Sequence, residues 1–255
     1  MIKLKTRAEI EKMRAAGRVV HRVLQEMGRA AKPGVTTAEL EDIACRMISE
    51  VGGVSPFLGY SPNDNPPFPA WTCISVNEEI VHGIPGKRKL KGGDIVSIDC
   101  GIELDGYVGD SAWTFGVGKI SPKADRLMKV TKESLYRGIA QAKPGKRVSD
   151  IARAVQKYAE ANGYSVVREL TGHGVGQTIH EDPQIPNYYD RELEDPYLQC
   201  GMTFAIEPMV NTGGKDIECL DDKWTIVTAD KSLSAHFEHT VVITPEGPVI
   251  LTNGE

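Results

Sequence analysis

The chain has 255 residues, 40% hydrophobic and 25% charged, ordinary for a globular protein with one large domain or two halves sharing a core. A net charge of −5 without a basic block argues against nucleic acid, DNA included, as the main partner. The charged N-terminus has no apolar signal-peptide core, no run is long enough to span a bilayer, and the five scattered cysteines form no CxxC, so a cytoplasmic protein with reduced thiols is expected.

Residues 7–30 repeat Ile10, Met13, Ala16, Val20, Val23, Leu24 and Met27 at helical spacing, with Thr6 and Glu9 as a capping box. Lys32-Pro33-Gly34 ends this helix. Thr36 or Thr37 caps a second one through Leu40, Ile43, Ala44, Met47 and Ile48, stopped by Gly52-Gly53. Residues 54–72 carry five prolines, and SPNDNPPFPAWT (61–72) reads as an ordered surface loop. Strand-like CISV (73–76) follows, then NEEIVHGIPG and GDIVSID (93–99).

The stretch SIDCGIELDGYVGD, residues 97–110, turns at Asp105-Gly106, a strong hairpin signal because a two-residue turn needs positive φ at both central positions. This turn sets Leu104 opposite Tyr107, Glu103 opposite Val108 and Gly101 opposite Asp110. Asp99 shares a face with Gly101, so Asp99 and Asp110 become diagonal neighbours, roughly 7–8 Å apart at the backbone. Two bare carboxylates aimed at each other repel. A cation between them would account for the arrangement, and a solvated hairpin with surface acids would account for it too. This stretch alone leaves both open.

Helices return at 122–142 and 148–162. AKPGKRVSDIARAVQKYAEANG echoes AKPGVTTAELEDIACRMISEVGG at an offset of 111 residues, and GMTFAIE (201–207) echoes GDIVSID at 108. Each echoed strand ends in a carboxylate, Asp99 or Glu207. The chain therefore reads as a single domain over 1–255, duplicated as half-repeats of about 1–120 and 121–255.

The second half supplies GHGVGQTIHEDP (172–183), AIEPMV (205–210) and SAHFEHTVVIT (234–244). Asp99, Asp110, His173, Glu207 and Glu238 together offer four carboxylates and one imidazole, whose four negative charges two divalent cations would balance. Uncompensated carboxylates in one cleft are costly, so metal is the physical reading if they converge. Oxygen-rich ligation with one His suits Mn, Fe(II), Co or Zn pairs, with Ni also admissible.

With these motifs in this order, the whole chain resembles a type I methionine aminopeptidase of the pita-bread fold, over residues 1–252. CISVNEEIVHGIP, IDCGIELDGYVGD, GHGVGQTIHEDP, FAIEPMV and SLSAHFEHT carry the resemblance. It implies an α+β fold of pseudo-twofold αβ halves, with antiparallel sheet and helices on the outer face. It implies removal of the initiator methionine from nascent polypeptides, usually ahead of a small residue. It implies that Asp99 chelates one metal, that Asp110 and Glu238 bridge two, and that His173 and Glu207 complete the other. Glu207 would also accept a proton from water. His180 would bond the scissile peptide and stabilise the oxyanion, and His82 would contact substrate or pass a proton. A sodium or potassium ion is implied on backbone carbonyls of Asn77, Glu79 and Ser234. The methionine pocket maps onto Tyr60, Cys73, Ile179 and Trp224, with Phe57 nearby. Ile179 stands where an aromatic is usual and Phe57 where a cysteine is usual.

Taken singly, each of these residues has an ordinary structural explanation, and His21, His236 and His239 keep it. Gly172, Gly174 and Gly176 are read as room for close backbone approach rather than a phosphate loop, since the Lys-Ser/Thr of a P-loop is missing. Two alternatives stand beside the first reading. One is another pita-bread peptidase, related to prolidase or aminopeptidase P, though the additional N-terminal domain usual there is lacking. The other is a non-catalytic pita-bread binding module, which would lose metal ligands. The chain has no zinc-finger-like or basic extension and no long second-half insertion of type II enzymes. Transient ribosome contact is thus expected only through the enzyme's own surface, and a monomer is implied.

Overall fold

The computed structural model describes residues 1–62 and 65–255. Helix α1 (Arg7–Ala30) begins at the expected capping box: the Glu9 N–H donates to the Thr6 hydroxyl at 3.4 Å, and the Thr6 N–H donates to the Glu9 carboxylate at 2.7 Å. For α2 (Thr37–Glu50), Thr36 is the cap, paired in the same way with Glu39. The Thr37 hydroxyl instead bonds Gly86, accepting from its N–H at 2.8 Å and donating to its carbonyl at 3.1 Å. Strands β1 (Thr72–Val76), β2 (Glu79–Val81), β3 (Ile95–Leu104) and β4 (Tyr107–Gly116) complete the first half.

Helix α3 (Pro122–Ile139) ends sooner than its periodicity suggests, because Gln141 and Ala142 tighten into bonds with the Gly138 and Ile139 carbonyls ahead of Pro144. Helix α4 (Val148–Ala161) takes its first-turn support from elsewhere in the chain, with the Ser149 N–H donating to Asp195 at 2.9 Å. Then come β5 (Ser165–Val166), β6 (Gly172–Gly174), β7 (Glu181–Ile185), β8 (Thr203–Ile206), β9 (Met209–Asn211), β10 (Ile217–Cys219), β11 (Ile226–Thr228), β12 (Ser234–His236), β13 (His239–Thr244) and β14 (Gly247–Ile250). The described strands form antiparallel sheets ordered β1-β3-β4, β10-β11-β2, β12-β9-β5 and β14-β13-β8-β6-β7.

The internal echo is structural. Gly34 and Gly145 both take positive φ in their Lys-Pro-Gly turns, and each donates its N–H to a leucine carbonyl, Leu90 or Leu198. Bridges Thr36–Lys89 and Arg147–Tyr197 repeat the same relationship one step on. The two halves meet where β4 runs beside β13. The Asp110 N–H donates to the Thr240 hydroxyl, the Glu238 N–H donates to the Ala112 carbonyl, and the Thr114 hydroxyl donates to the His236 carbonyl. Each two-residue step up β4 is met by two residues down the segment from Thr240 to His236, which joins β13 to β12.

One apolar cluster lies under α1 and α2 (Val20, Leu24, Leu40, Ile98, Ile102) and another under α3 and α4 (Leu127, Leu135, Ile151, Phe204, Val241). Trp113 packs against both. No helix among the described residues is long and apolar enough to cross a membrane.

Candidate metal centre and substrate cavity

The hairpin folds in the expected register, with Gly101 opposite Asp110 and Asp99 opposite Ala112. Asp105 and Gly106 take φ of 50° and 76°, as the tight turn demands. Asp99 and Asp110 therefore share a face and line one cavity of about 950 Å³ with His173, Glu207 and Glu238.

His173 sits on β6 between two glycines. A Cβ on Gly172 would run into the Ala205 carbonyl, and one on Gly174 into the Asp182 carbonyl, so only glycine lets this strand seat His173. The His173 Nδ1–H donates to the Gly174 carbonyl at 3.0 Å, since a carbonyl can only accept. That leaves Nε2 with its lone pair facing the carboxylates, 3.7 Å from Asp110 Oδ2 and 3.5 Å from Glu207 Oε1. Glu207 directly follows β8, whereas Asp99 lies in the middle of β3, so the expected end of that strand at Asp99 is corrected: the hairpin carries β3 on to Leu104. Glu238 lies between β12 and β13, its backbone carbonyl accepting from the Ser111 hydroxyl at 2.6 Å. One donor atom each from Asp110, His173 and Glu238 falls within 4.8 Å of the others.

The electrostatics of this cluster call for a cation. Burial and mutual repulsion push the Asp110 carboxyl up to about 8; burial does the same for Glu207, also to about 8. Asp99 and Glu238 are raised too, by burial first and by their acidic neighbours second. Asp99 Oδ1, Asp110 Oδ1 and Glu238 Oε1 are buried without a hydrogen-bond partner. Burial holds His173 neutral, down to about 3, the form that can ligate. Orphaned carboxylate oxygens beside a lone-pair imidazole fit a metal site.

Two further histidines border the cavity. The His180 ring lies 4.3 Å from that of His173 and 5.0 Å from that of Tyr60, and burial lowers its pKa. His82 closes β2 at φ 59°, a backbone region that costs a non-glycine residue energy and that clusters at functional sites. Burial lowers it to about 4, and its ring meets Trp224 edge-on at 6.1 Å. Phe57, Tyr60, Phe68, Cys73 and Trp224 make an apolar wall. The Trp224 indole N–H donates to the Pro66 carbonyl at 2.9 Å, tying this wall to the proline-rich loop. Pro62 and Asn65 of that loop line the cavity, while residues 63 and 64 lie outside the described ones. Ile179 does not line it; buried, it backs Phe57 and Tyr60 from the cluster of Met13, Tyr107 and Val175. Away from the cavity wall, Asn77 takes φ 61°, and its carbonyl accepts the Ser234 N–H at 2.9 Å.

The profile of metallopeptidase family M24 matches residues 11–245. The chain belongs to this family, on its methionine aminopeptidase branch. It is 52% identical to methionine aminopeptidase 1 of Bacillus subtilis, over 99% of both chains. The crystal structure of methionine aminopeptidase from Rickettsia prowazekii superposes with a TM-score of 0.94 at 41% identity, covering 99% of this chain and 100% of that one. Prolidase from Pyrococcus furiosus shares the fold alone, with a TM-score of 0.77 at 23% identity over 99% of this chain and 66% of that one.

One residue beside the candidate site was not expected there from the sequence. His236 is buried, and its Nε2 lies 3.5 Å from Glu207 Oε2. His236 stands two residues before Glu238 in SAHFEHT, the signal present in the sequence. His239 keeps its ordinary structural role, bonded to the Thr252 hydroxyl at 2.8 Å and packed on Trp113.

Proposed function

We propose that this chain removes the N-terminal methionine from newly made polypeptides, preferring a small second residue. The observation that carries this reading is the set of buried carboxylate oxygens left without partners beside the neutral His173, opening on a cavity with an aromatic wall. Asp99, Asp110, His173, Glu207 and Glu238 would hold two divalent ions, cobalt, manganese, iron(II), zinc or nickel. When bound, such ions polarise a peptide carbonyl and acidify water.

The chain's own groups supply the rest. Glu207 accepts the proton of the attacking water and returns it to the leaving amine. His180, neutral, donates a hydrogen bond to the scissile carbonyl oxygen as negative charge builds there. His82 contacts the substrate backbone. Tyr60, Cys73 and Trp224, with Phe57 beside them and Ile179 behind, receive the methionine thioether, an apolar polarizable group suited to aromatic walls. A sodium or potassium ion on the carbonyls of Asn77, Glu79 and Ser234 would brace the strands beside the site. We take residues 1–255 as one catalytic unit, with half-repeats meeting near residue 120. It acts as a monomer in the cytoplasm, in transient contact with the ribosome. Five unpaired cysteines favour that compartment.

Hydrolysis of Met-Ala-Ser against leucyl and prolyl analogues, by apoprotein reconstituted with each metal in turn, tests the reading. Methionine release restored by a divalent ion and abolished by chelator is expected. Preference for X-prolyl peptides, or no rescue by any ion, would overturn it.

A further inference from the structure

His236 closes β12 with its backbone clamped to the other half of the molecule. The His236 N–H donates to the Thr114 hydroxyl at 3.0 Å, and that hydroxyl donates to the His236 carbonyl at 2.8 Å. The Thr114 proton being spent in this way, the Ser97 hydroxyl, 2.8 Å away, must be the donor to Thr114. The backbone at His236 is thus fixed from β3, β4 and β12 together. Its Nε2 is buried with no hydrogen-bond partner and faces Glu207 Oε2 at 3.5 Å. A histidine that merely fills space satisfies its nitrogens with structural groups, as His239 does with Thr252 and, at 3.4 Å, Tyr136. His236 aims its Nε2 at a carboxylate of the reaction site instead. The other oxygen of that carboxylate, Oε1, faces His173 Nε2 at 3.5 Å. Glu207 therefore lies between two imidazoles from separate strands, one 3.5 Å from each oxygen.

We propose that His236 is a positioning residue for Glu207: its Nε2–H donates to Oε2, locking the carboxylate so that Oε1 points to His173 and the cation site. The inference rests on the reading of Glu207 as a ligand and base. His236 does not line the cavity, so it acts through Glu207 and touches no substrate. A carboxylate with one oxygen engaged by a fixed donor keeps a single orientation, and outer partners of this kind typically contribute about 10–100-fold in metal affinity or activity.

Co(II) titration of apoprotein by calorimetry, with kcat and KM for Met-Ala-Ser, tests this on His236→Leu and His236→Gln. The leucine variant loses about 10–100-fold in Co(II) affinity and a similar factor in kcat, with KM little changed. The glutamine variant, which keeps an N–H donor, recovers both to within several-fold of the parent protein. Parent-like Co(II) affinity in the leucine variant, or a glutamine variant as impaired as leucine, would overturn the proposal. If the leucine variant does not fold, nitrogen NMR of selectively labelled histidines in the unaltered, zinc-loaded protein reads the same point. A protonated Nε2 on His236 supports the proposal and an unprotonated one overturns it. The calorimetric and NMR measurements need no substrate, so failure of methionine release would be seen separately.

Discussion

Asp110 and Thr240 hold each other across the junction of the two halves. The Asp110 N–H donates to the Thr240 hydroxyl at 3.2 Å, and the same hydroxyl donates to the Asp110 carbonyl at 2.7 Å. One side chain of β13 thus fixes the stretch of β4 that presents a central carboxylate. Thr240→Val keeps the shape and removes both bonds, leaving buried polar groups at about 1–3 kcal/mol each. A lower thermal midpoint together with weaker Co(II) binding in calorimetry is the expected pair of changes. Loss of stability with metal affinity intact would separate the junction from the site.

The turn at Asp105-Gly106 sets which face Asp110 occupies. Removing Gly106 forces a longer or slipped connection, and a slip of one residue sends every side chain of β4 to the opposite face. Metal binding by the deletion variant should vanish while the helical signal in circular dichroism persists. Measurable stoichiometric binding would mean that the register is held by the sheet rather than the turn.

Removal of metal should leave a particular pH dependence. Asp110 and Glu207 sit near 8 in the metal-free fold, above the ordinary carboxyl range of an unfolded chain. Between the two values the folded state binds more protons than the unfolded one, so these groups make stability fall as pH rises. His173, His236 and His239 near 3 and His82 near 4 act oppositely: the unfolded chain protonates them, so they make stability rise with pH up to about 6.5. The two trends oppose each other in acid. From about 6.5 to 8 only the carboxylates contribute, and the apoprotein should lose stability across that interval. Denaturant melts of chelator-treated and metal-loaded protein check this, with a flat apoprotein profile as the contrary result.

Lys5 and Glu181 form an ion pair at 2.6 Å with side chains only 5% and 7% exposed. Glu181 also accepts the Gln177 N–H at 3.0 Å and lines the cavity. Lys5→Met strands a buried carboxylate and should cost about 3–5 kcal/mol. The double variant Lys5→Met with Glu181→Gln should recover part of that loss, and urea melts of the single and double variants measure how much.

Legibility followed the range over which each feature is specified. The 97–110 hairpin could be read to the residue, because a two-residue turn and a period of two leave one register. The duplicated turns before α2 and α4 were visible because a Lys-Pro-Gly turn carries its own backbone signature. Strands β5, β6 and β9 to β12 have two or three residues each, too short for any periodicity; neighbours supply their pairing. Two adjacent threonines offered equal cap signals, and the Gly86 backbone decided between them by engaging Thr37. Ile179 falls behind Phe57 and Tyr60 rather than into the cavity, a difference of packing depth that no local pattern encodes.

By itself the sequence determined the carboxylate and imidazole side chains offered to the site and the hairpin register that sets Asp99 and Asp110 diagonally on one face. Those depend on local turn chemistry and side-chain alternation, which act over a few residues. Only the tertiary structure decided that Asp110, His173 and Glu238 converge within 4.8 Å, and that His236 stands behind Glu207. Those depend on β4 meeting β12 through the Thr114 hydroxyl and β13 through the Thr240 hydroxyl, contacts between residues more than a hundred positions apart. Such contacts form when the two buried clusters pack on either side of Trp113, and that packing is a property of the whole fold.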